Sequence, residues 1–491
     1  MSMRVLVSWK TWGDEVLYLY DELGRHHEVA YWIGEERHRK TIEERSKGQT
    51  TFHVKKNATA GQGAAALVAT HETPPSAELI ERMLPTESIV LTMMNRKFGP
   101  LSVDERKLAY YRMLGYWHEV LTKECIDAVI FEDIPHVAYN YIIYGLAKML
   151  GIKVIMFLKV RIGDRFVFLT DWEEGSVALR DAYRKFEGVT FAPEDLDEDI
   201  RTVYRAQTEP ATKDAPLYKN YRLEVAPQER GWLADEAKAV KRNIWSADFW
   251  LKLRLYLARR IAPHYSLRLR REYESLAREP DMSVPYVYVG LHYQPERTTC
   301  PQGTVYTNQL LMLQTLSRAL PEGWKIYVKE HPMQWFAKRP KGTPYDRYFG
   351  YYEDMARLPG ITIVPIETSS IELVNHSRAV GAVTGTTGIE ALFRGIPALV
   401  FGYPWYRLVE SVFTIGSVED ARSAFAAIEA GYEVHPESLL QLFRAFQDAS
   451  IRGFYELPDR LPDTHPLKLP KREAQNNIIK EIVQNLEKAK P

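Results

Sequence analysis

The stretch that decides the fold is Ser377–Gly402, "SRAVGAVTGTTGIEALFRGIPALVFG". Ala379 to Val383 is a run of small and β-branched residues, too short for a helix and suited to a buried strand. Thr384-Gly385-Thr386-Thr387-Gly388 then breaks it, and a helix is predicted from Ile389-Glu390-Ala391, ending at Gly395 before a second apolar strand, "IPALVFG". Strand, tight turn, helix and strand is the βαβ unit of a parallel sheet. Glycines let the backbone approach a ligand, and free N–H groups at the helix start favour an anion there. Gly385, Thr386, Thr387 and Gly388 thus read as a phosphate cradle, and Glu390, one turn on, as a carboxylate that could accept from ribose hydroxyls. A turn whose glycines serve packing alone fits the same residues. The pattern is neither G-x-G-x-x-G nor a Gly-Lys-Ser/Thr loop, so it supports neither dinucleotide redox chemistry nor ATP hydrolysis.

Working outward, the same rhythm extends over "PYVYVGLHY", "KIYVKEHP" and "GITIVPIE" in the second half. In the first half it extends over "MRVLVSW", "HEVAYWIG", "SIVLTMM", "DAVIFEDI" and "KVIMFL". These runs predict two α/β halves, each with a mostly parallel sheet. The expected domains are an N-terminal Rossmann-like acceptor-side domain 1–235, a basic helical linker 236–283, a C-terminal Rossmann-like nucleotide-sugar-binding domain 284–406, and a helical extension 407–491 packing on the core, its last polar helix lying on the surface.

A length of 491 residues fits two cores. Lys+Arg and Asp+Glu both number 64, so no global charge calls for nucleic acid. Cys125 and Cys300 stand far apart without metal-ligand spacing, which excludes a disulfide framework and a structural zinc site and fits a reducing compartment. No window approaches the ~20 apolar residues of a membrane span. The reading is cytoplasmic, with peripheral contact at the inner face of the inner membrane open to the basic, aromatic stretch 238–271, whose single acid is Asp248. The same stretch also reads as an interdomain helix whose arginines pair with carboxylates elsewhere.

In "KIYVKEHP", Pro332 stops a strand and stiffens the corner, so His331 projects from the carboxyl edge of the sheet, where ligands of open α/β sheets bind. An imidazole there can donate to a phosphate oxygen and, protonated, offset the charge of a departing phosphate. Alternation sends Lys329 and Glu330 to opposite faces. Glu296, in the polar loop "GLHYQPERTTCPQG", is a candidate cleft carboxylate. In "ETSSIELVNHS", Ser369 and Glu372 fit a helix-capping box, while the Ser369 and Ser370 hydroxyls could face the same phosphate. In the first half, "IFEDIPH" places Asp133 and His136 at a strand end, as acceptor-side candidates or as a helix cap. "EDLDED", Glu194 to Asp199, contains Asp-x-Asp but reads as an exposed helix start.

Together "LHYQPERTTCPQG", "YVKEHP", "SSIELVNHS" and "TGTTGIEALFRGIPALVFG" resemble the capsule polysaccharide biosynthesis proteins, a bacterial group that includes the Kdo transferases of capsule and lipopolysaccharide assembly. The resemblance spans roughly 284–406. It implies a GT-B glycosyltransferase, two Rossmann-like domains facing each other across a cleft, using a CMP-activated 3-deoxy-ulosonic acid as donor and a surface glycan as acceptor. It further implies no cofactor and no metal, with His331 at the CMP phosphate and Ser369, Ser370, Thr386 and Thr387 holding the nucleotide. Transferases of this group are retaining and use a cleft carboxylate, usually aspartate; this chain has Glu296 in the corresponding loop. A UDP- or GDP-sugar transferase, a sugar-nucleotide epimerase or hydrolase, and a non-catalytic glycan-binding or export component share the scaffold.

Overall fold

The computed structural model describes residues 2–10, 12–67, 71, 73–160, 162–209, 249–294, 299–335, 347–453 and 469–488. The chain divides into two compact units. Met1–Met93, Val103–Val203 and Gln441–Pro491 form the first, and Met94–Ser102 with Tyr204–Leu440 the second.

The first sheet contains β1 (Arg4–Ser8), β2 (Glu28–Gly34), β3 (Thr51–Val54), β4 (Ala128–Phe131), β5 (Lys153–Lys159) and β6 (Arg165–Leu169). Strands β3-β2-β1-β4-β5 are parallel and β6 runs antiparallel beside β5. Val5, Leu6 and Val7 are fully buried, as expected of a parallel strand covered on both faces. "SIVLTMM" is not a strand. It lies in the Leu84–Met93 helix and the following residue, because Pro85 suits a first helical turn and Glu87, Val90 and Met93 recur at helical spacing on the buried face.

The second sheet, β12-β11-β10-β7-β8-β9, is parallel throughout, with β7 (Tyr286–Gly290), β8 (Lys325–Lys329), β9 (Ile361–Ile363), β10 (Ala379–Ala382), β11 (Ala398–Val400) and β12 (Val412–Thr414). From β7 the chain steps outward through β8 to β9, then crosses to β10 on the other side of β7. The order therefore reverses between β7 and β10, and in the first sheet between β1 and β4, the kind of switch point at whose carboxyl edge ligands of open α/β sheets bind.

The last part of the chain returns to the first sheet. Strand β13 (Ile451–Arg452) pairs antiparallel with β6. The Lys471–Glu487 helix buries Ile478, Ile482 and Leu486 in the same core cluster as Val5, Val7 and Ile130. Its apolar face packs into that core, since Ala474, Ile478 and Ile482 recur every four residues on one face, while its polar face is turned outward. Likewise the Phe249–Leu276 helix, which overlaps the basic stretch, places Leu269 and Tyr273 in the core of the second unit. No helix among the described residues is long and apolar enough to cross a membrane.

Candidate functional site

The switch point of the second sheet is built by alternation along β7 and β8. Tyr286, Tyr288 and Tyr327 face a cluster containing Leu373, Val380 and Ala391, while Val287, Val289, Ile326 and Val328 face the opposite layer. Lys329 continues the first series. Buried, it donates from Nζ to the Thr368 carbonyl and to Ser370 Oγ at 3.0 Å, and the Tyr288 hydroxyl donates to the same Ser370 Oγ at 3.2 Å. Burial pulls the Lys329 pKa below its ordinary value, with Glu367 acting in the other direction. A Cβ on Gly290 would stand 3.2 Å from Tyr288 Oη and 3.9 Å from Thr387 Oγ1, so glycine keeps open the space between them.

Glu330 continues the second series. Its carboxylate meets Arg347 Nε at 3.0 Å, accepts from Tyr352 at 2.7 Å and takes the His331 N–H at 2.7 Å. The ion pair is sealed from water. Burial opposes the Arg347 charge, yet Glu330 and the tyrosines beside it hold its pKa above the ordinary value. Arg347 Nη2 also donates to the His292 carbonyl at 3.1 Å, so one pair anchors both the loop after β7 and the turn after β8.

His292 completes the frame. Its Nε2 accepts the Val383 N–H at 3.1 Å, and its backbone exchanges hydrogen bonds with the Gln309 side chain at 2.7 and 3.1 Å. Burial, then the nearby His331 and Arg347, lowers its pKa to about 4, so the ring is neutral and Nε2 remains an acceptor. The Tyr293 ring meets His331 edge-on at 5.9 Å, and Gln294 and Gln334 exchange bonds of 3.0 and 3.2 Å. These contacts bring His331 and the cradle onto one frame.

The helix of the cradle starts earlier than its sequence suggests, spanning Thr386–Leu392 with Gly385 as its N-cap, so both threonines lie in the first turn. A Cβ at Gly385 would stand 2.5 Å from His292 Cε1, and one at Gly388 2.4 Å from Tyr406 Oη, whose hydroxyl donates to the Gly385 carbonyl. Close packing thus accounts for both glycines. Glu390 accepts from Thr386 at 3.1 Å. Ser369 caps the Ser370–Asn375 helix through the Glu372 N–H at 3.3 Å, the capping alternative of the sequence reading. Glu296 lies outside the described residues.

In the first unit Asp133 and His136 follow β4. Asp133 accepts the Ile134 N–H at 2.8 Å, and His136 Nδ1 donates to the Ile134 carbonyl at 2.7 Å. The side chain that closes the start of the Ala138–Leu150 helix is instead Asn140, which accepts the Val137 N–H at 2.8 Å. Sequence reasoning passed over Glu132 beside it. Glu132 is buried at the β1–β4 switch point, accepting the Lys10 N–H at 2.8 Å with Lys55 Nζ at 3.4 Å. Its signal was the first acid of "FED", next to the more exposed Asp133. Asp197 and Asp199 of the Asp-x-Asp pattern both bind the buried Arg165, Asp199 at 2.7 Å; they are not simply an exposed helix start.

Residues 296–410 match the family model of the capsule polysaccharide biosynthesis protein, a span that takes in the His-Pro turn, the Ser370 helix and the cradle. No curated protein matches the chain. Among solved structures, the chain is similar to the Thermosulfurimonas dismutans KpsC beta Kdo 2,7 transferase at 12% identity, covering 81% of this chain and 95% of that one, with a TM-score of 0.30. The beta Kdo 2,4 transferase of the same KpsC gives 12% identity, 73% and 87% coverage and a TM-score of 0.32. The Neisseria meningitidis UDP-GlcNAc 2-epimerase bound to UDP-GlcNAc gives 11% identity, 99% coverage of each chain and a TM-score of 0.25.

Proposed function

We propose that the chain is a glycosyltransferase of capsule polysaccharide biosynthesis that moves a 3-deoxy-ulosonic acid from a CMP-activated donor to a bacterial surface glycan. The observation that carries the reading is that the family match, 296–410, spans strands β8 to β11 with the turns and helix starts that follow them at the switch point of the second sheet. His331 in the turn after β8, Ser370 at the start of the Ser370–Asn375 helix and Thr387 in the first turn of the Thr386–Leu392 helix are assigned to a phosphate-bearing ligand of the kind that open α/β sheets bind at their carboxyl edge. In the reaction, the bond between the anomeric carbon and the phosphate oxygen breaks, and its electron pair leaves with CMP. A new bond forms from an acceptor hydroxyl, whose proton passes to a base. His331 would donate to the phosphate as negative charge collects there, a role in which a positioned donor in a dry site is worth far more than in water. Glu296 is assigned the attack on the anomeric carbon in a double displacement, and Asp133 with His136 the acceptor side. No step in this scheme calls for a metal.

The test is thermal unfolding with CMP, UDP and GDP, followed by transfer from CMP-Kdo to a glycan acceptor. CMP should raise the melting temperature, His331→Ala should weaken that response, and Asp133→Asn should lower transfer while CMP binding survives. A response to UDP or GDP in place of CMP overturns the donor assignment. Conversion of a nucleotide sugar without any acceptor would make the chain an epimerase or hydrolase.

A further inference from the structure

The ladder between β7 and β8 ends where the Leu291 N–H meets the Lys329 carbonyl at 2.8 Å. Three residues on, a side chain takes over the work of a strand. Gln334, half-buried in the turn after β8, accepts the Gln294 N–H through Oε1 at 3.0 Å and donates from Nε2 to the Gln294 carbonyl at 3.2 Å. A primary amide can do this because its carbonyl accepts while its NH2 donates. The backbone N–H of Gln334 donates to the His331 carbonyl at 2.8 Å, closing the turn that carries the imidazole, and the Tyr293 ring beside Gln294 meets His331 edge-on. The loop after β7 is fixed at a second point as well. Gln294 Nε2 donates to Thr299 Oγ1 at 2.8 Å, both residues being buried, and the Thr299 carbonyl accepts from Thr307 Oγ1 at 2.8 Å and from the Gly303 N–H at 2.7 Å. Gln294 and Thr299 thus bracket residues 295–298, which lie outside the described residues.

We propose that Gln334 is a positioning residue that holds the loop after β7 in register with the His331 turn. The proposal rests on the glycosyltransferase reading for what that register serves: His331 is assigned to the departing phosphate, and Glu296, which falls between Gln294 and Thr299 in the sequence, to the anomeric carbon. Groups acting at the two ends of a breaking bond must keep a fixed separation, and a slip of ~1 Å between them can lower the rate about 100-fold. Neutral hydrogen bonds at a half-buried site add only modestly to stability. The pairing of Gln334 with Gln294 therefore acts on turnover far more than on folding, and on turnover more than on nucleotide binding, because the His331 turn closes through its own backbone bond.

The experiment compares the full wild-type chain with Gln334→Met, which keeps the length of the side chain and loses both bonds, and with Gln334→Glu. Transfer from CMP-Kdo, CMP affinity, melting temperature and amide exchange at Gln294 are measured on each. Gln334→Met should lower kcat roughly 50- to 100-fold. Its KM for the donor and its CMP affinity should stay within about twofold of wild type, the split expected of a group that acts on the transition state alone. Its melting temperature should fall by no more than ~3 °C, while the Gln294 amide, having lost its acceptor, exchanges about tenfold faster. Gln334→Glu adds a pH signature. Ionised, it turns a carboxylate oxygen against the Gln294 carbonyl, whereas protonated it regains one donor and one acceptor, so its kcat relative to wild type should climb as pH falls from about 8 to about 5. That climb decides the matter if Gln334→Met does not fold. A kcat of Gln334→Met within about threefold of wild type, a loss confined to KM and CMP affinity, or an unchanged exchange rate at Gln294 overturns the positioning role. Transfer from a UDP- or GDP-sugar in place of CMP-Kdo, with the same response to both variants, keeps the role and overturns the donor assignment. A wild type that transfers from none of these donors overturns the glycosyltransferase reading and the role built on it, an outcome distinct from an active wild type with an equally active Gln334→Met.

Discussion

Arg347→Met isolates the anchor beneath the site. In wild type the Arg347 and Glu330 side chains are 2% and 0% exposed, and removing the arginine leaves a carboxylate sealed from water with only neutral donors on its oxygens. Breaking one half of a buried pair costs ~3–5 kcal/mol. The Tyr352 hydroxyl and the His331 N–H remain, which places the expected loss near the lower end, ~3 kcal/mol. For a unit of this size each kcal/mol lowers the melting temperature by ~2–4 °C, so calorimetry should show a drop of roughly 6–12 °C. Adding Glu330→Gln removes the stranded charge while keeping an oxygen for the His331 N–H, and the double variant should recover about half of the loss. Arg347 also holds the His292 carbonyl, so nucleotide affinity should fall in both variants and not recover with stability. A single variant within ~1 kcal/mol of wild type, or a double variant less stable than the single one, would refute the argument.

Three further outcomes follow from the geometry. His292 and His53 both have folded pKa values lowered from 6.5 to about 4, with burial the first cause, so the unfolded chain binds protons that the folded chain does not; stability should be insensitive to pH above 6.5 and fall between pH 6.5 and about 4, and His292→Gln should flatten part of that slope in denaturant titrations. Gly388→Ala forces a methyl onto Tyr406 Oη and should cost ~1–3 kcal/mol with weaker nucleotide binding, partly relieved by Tyr406→Phe, as melting curves of the single and double variants would show. Asp199→Asn leaves buried Arg165 with the more exposed Asp197 and should destabilise by ~2–3 kcal/mol in urea unfolding.

Strands β1, β2, β4 and β5 and β7 to β11 were legible because a strand buried on both faces reads as an apolar run. Short β3, β12 and β13 and the arginine-led β6 carry too little of that signal. "SIVLTMM" carried it falsely, since composition there favours a strand and only the spacing of Glu87, Val90 and Met93 reveals a helix. At the site, Pro332 and the glycines made His331 and the cradle visible. Alternation separated Lys329 from Glu330 but could not tell what each face contained, because Ser370, Arg347 and Tyr352 arrive from distant segments. His292 read as one polar residue in a polar loop; its partner Val383 lies ninety-one residues on. The repeat Ala474, Ile478, Ile482 was equally plain, yet nothing local says which sheet such a face will cover.

That last helix also sets an order of events during synthesis. The first unit contains Gln441–Pro491, so its sheet stands without β13 and without the cover of Ile478, Ile482 and Leu486 until the whole second unit has been translated. At ~5–20 residues per second the wait between Val203 and Gln441 lasts roughly ten to fifty seconds. Through that interval one flank of an apolar sheet is left open to chaperones and to neighbouring chains. The second unit lies within an interruption of the first and can mature on the ribosome ahead of it.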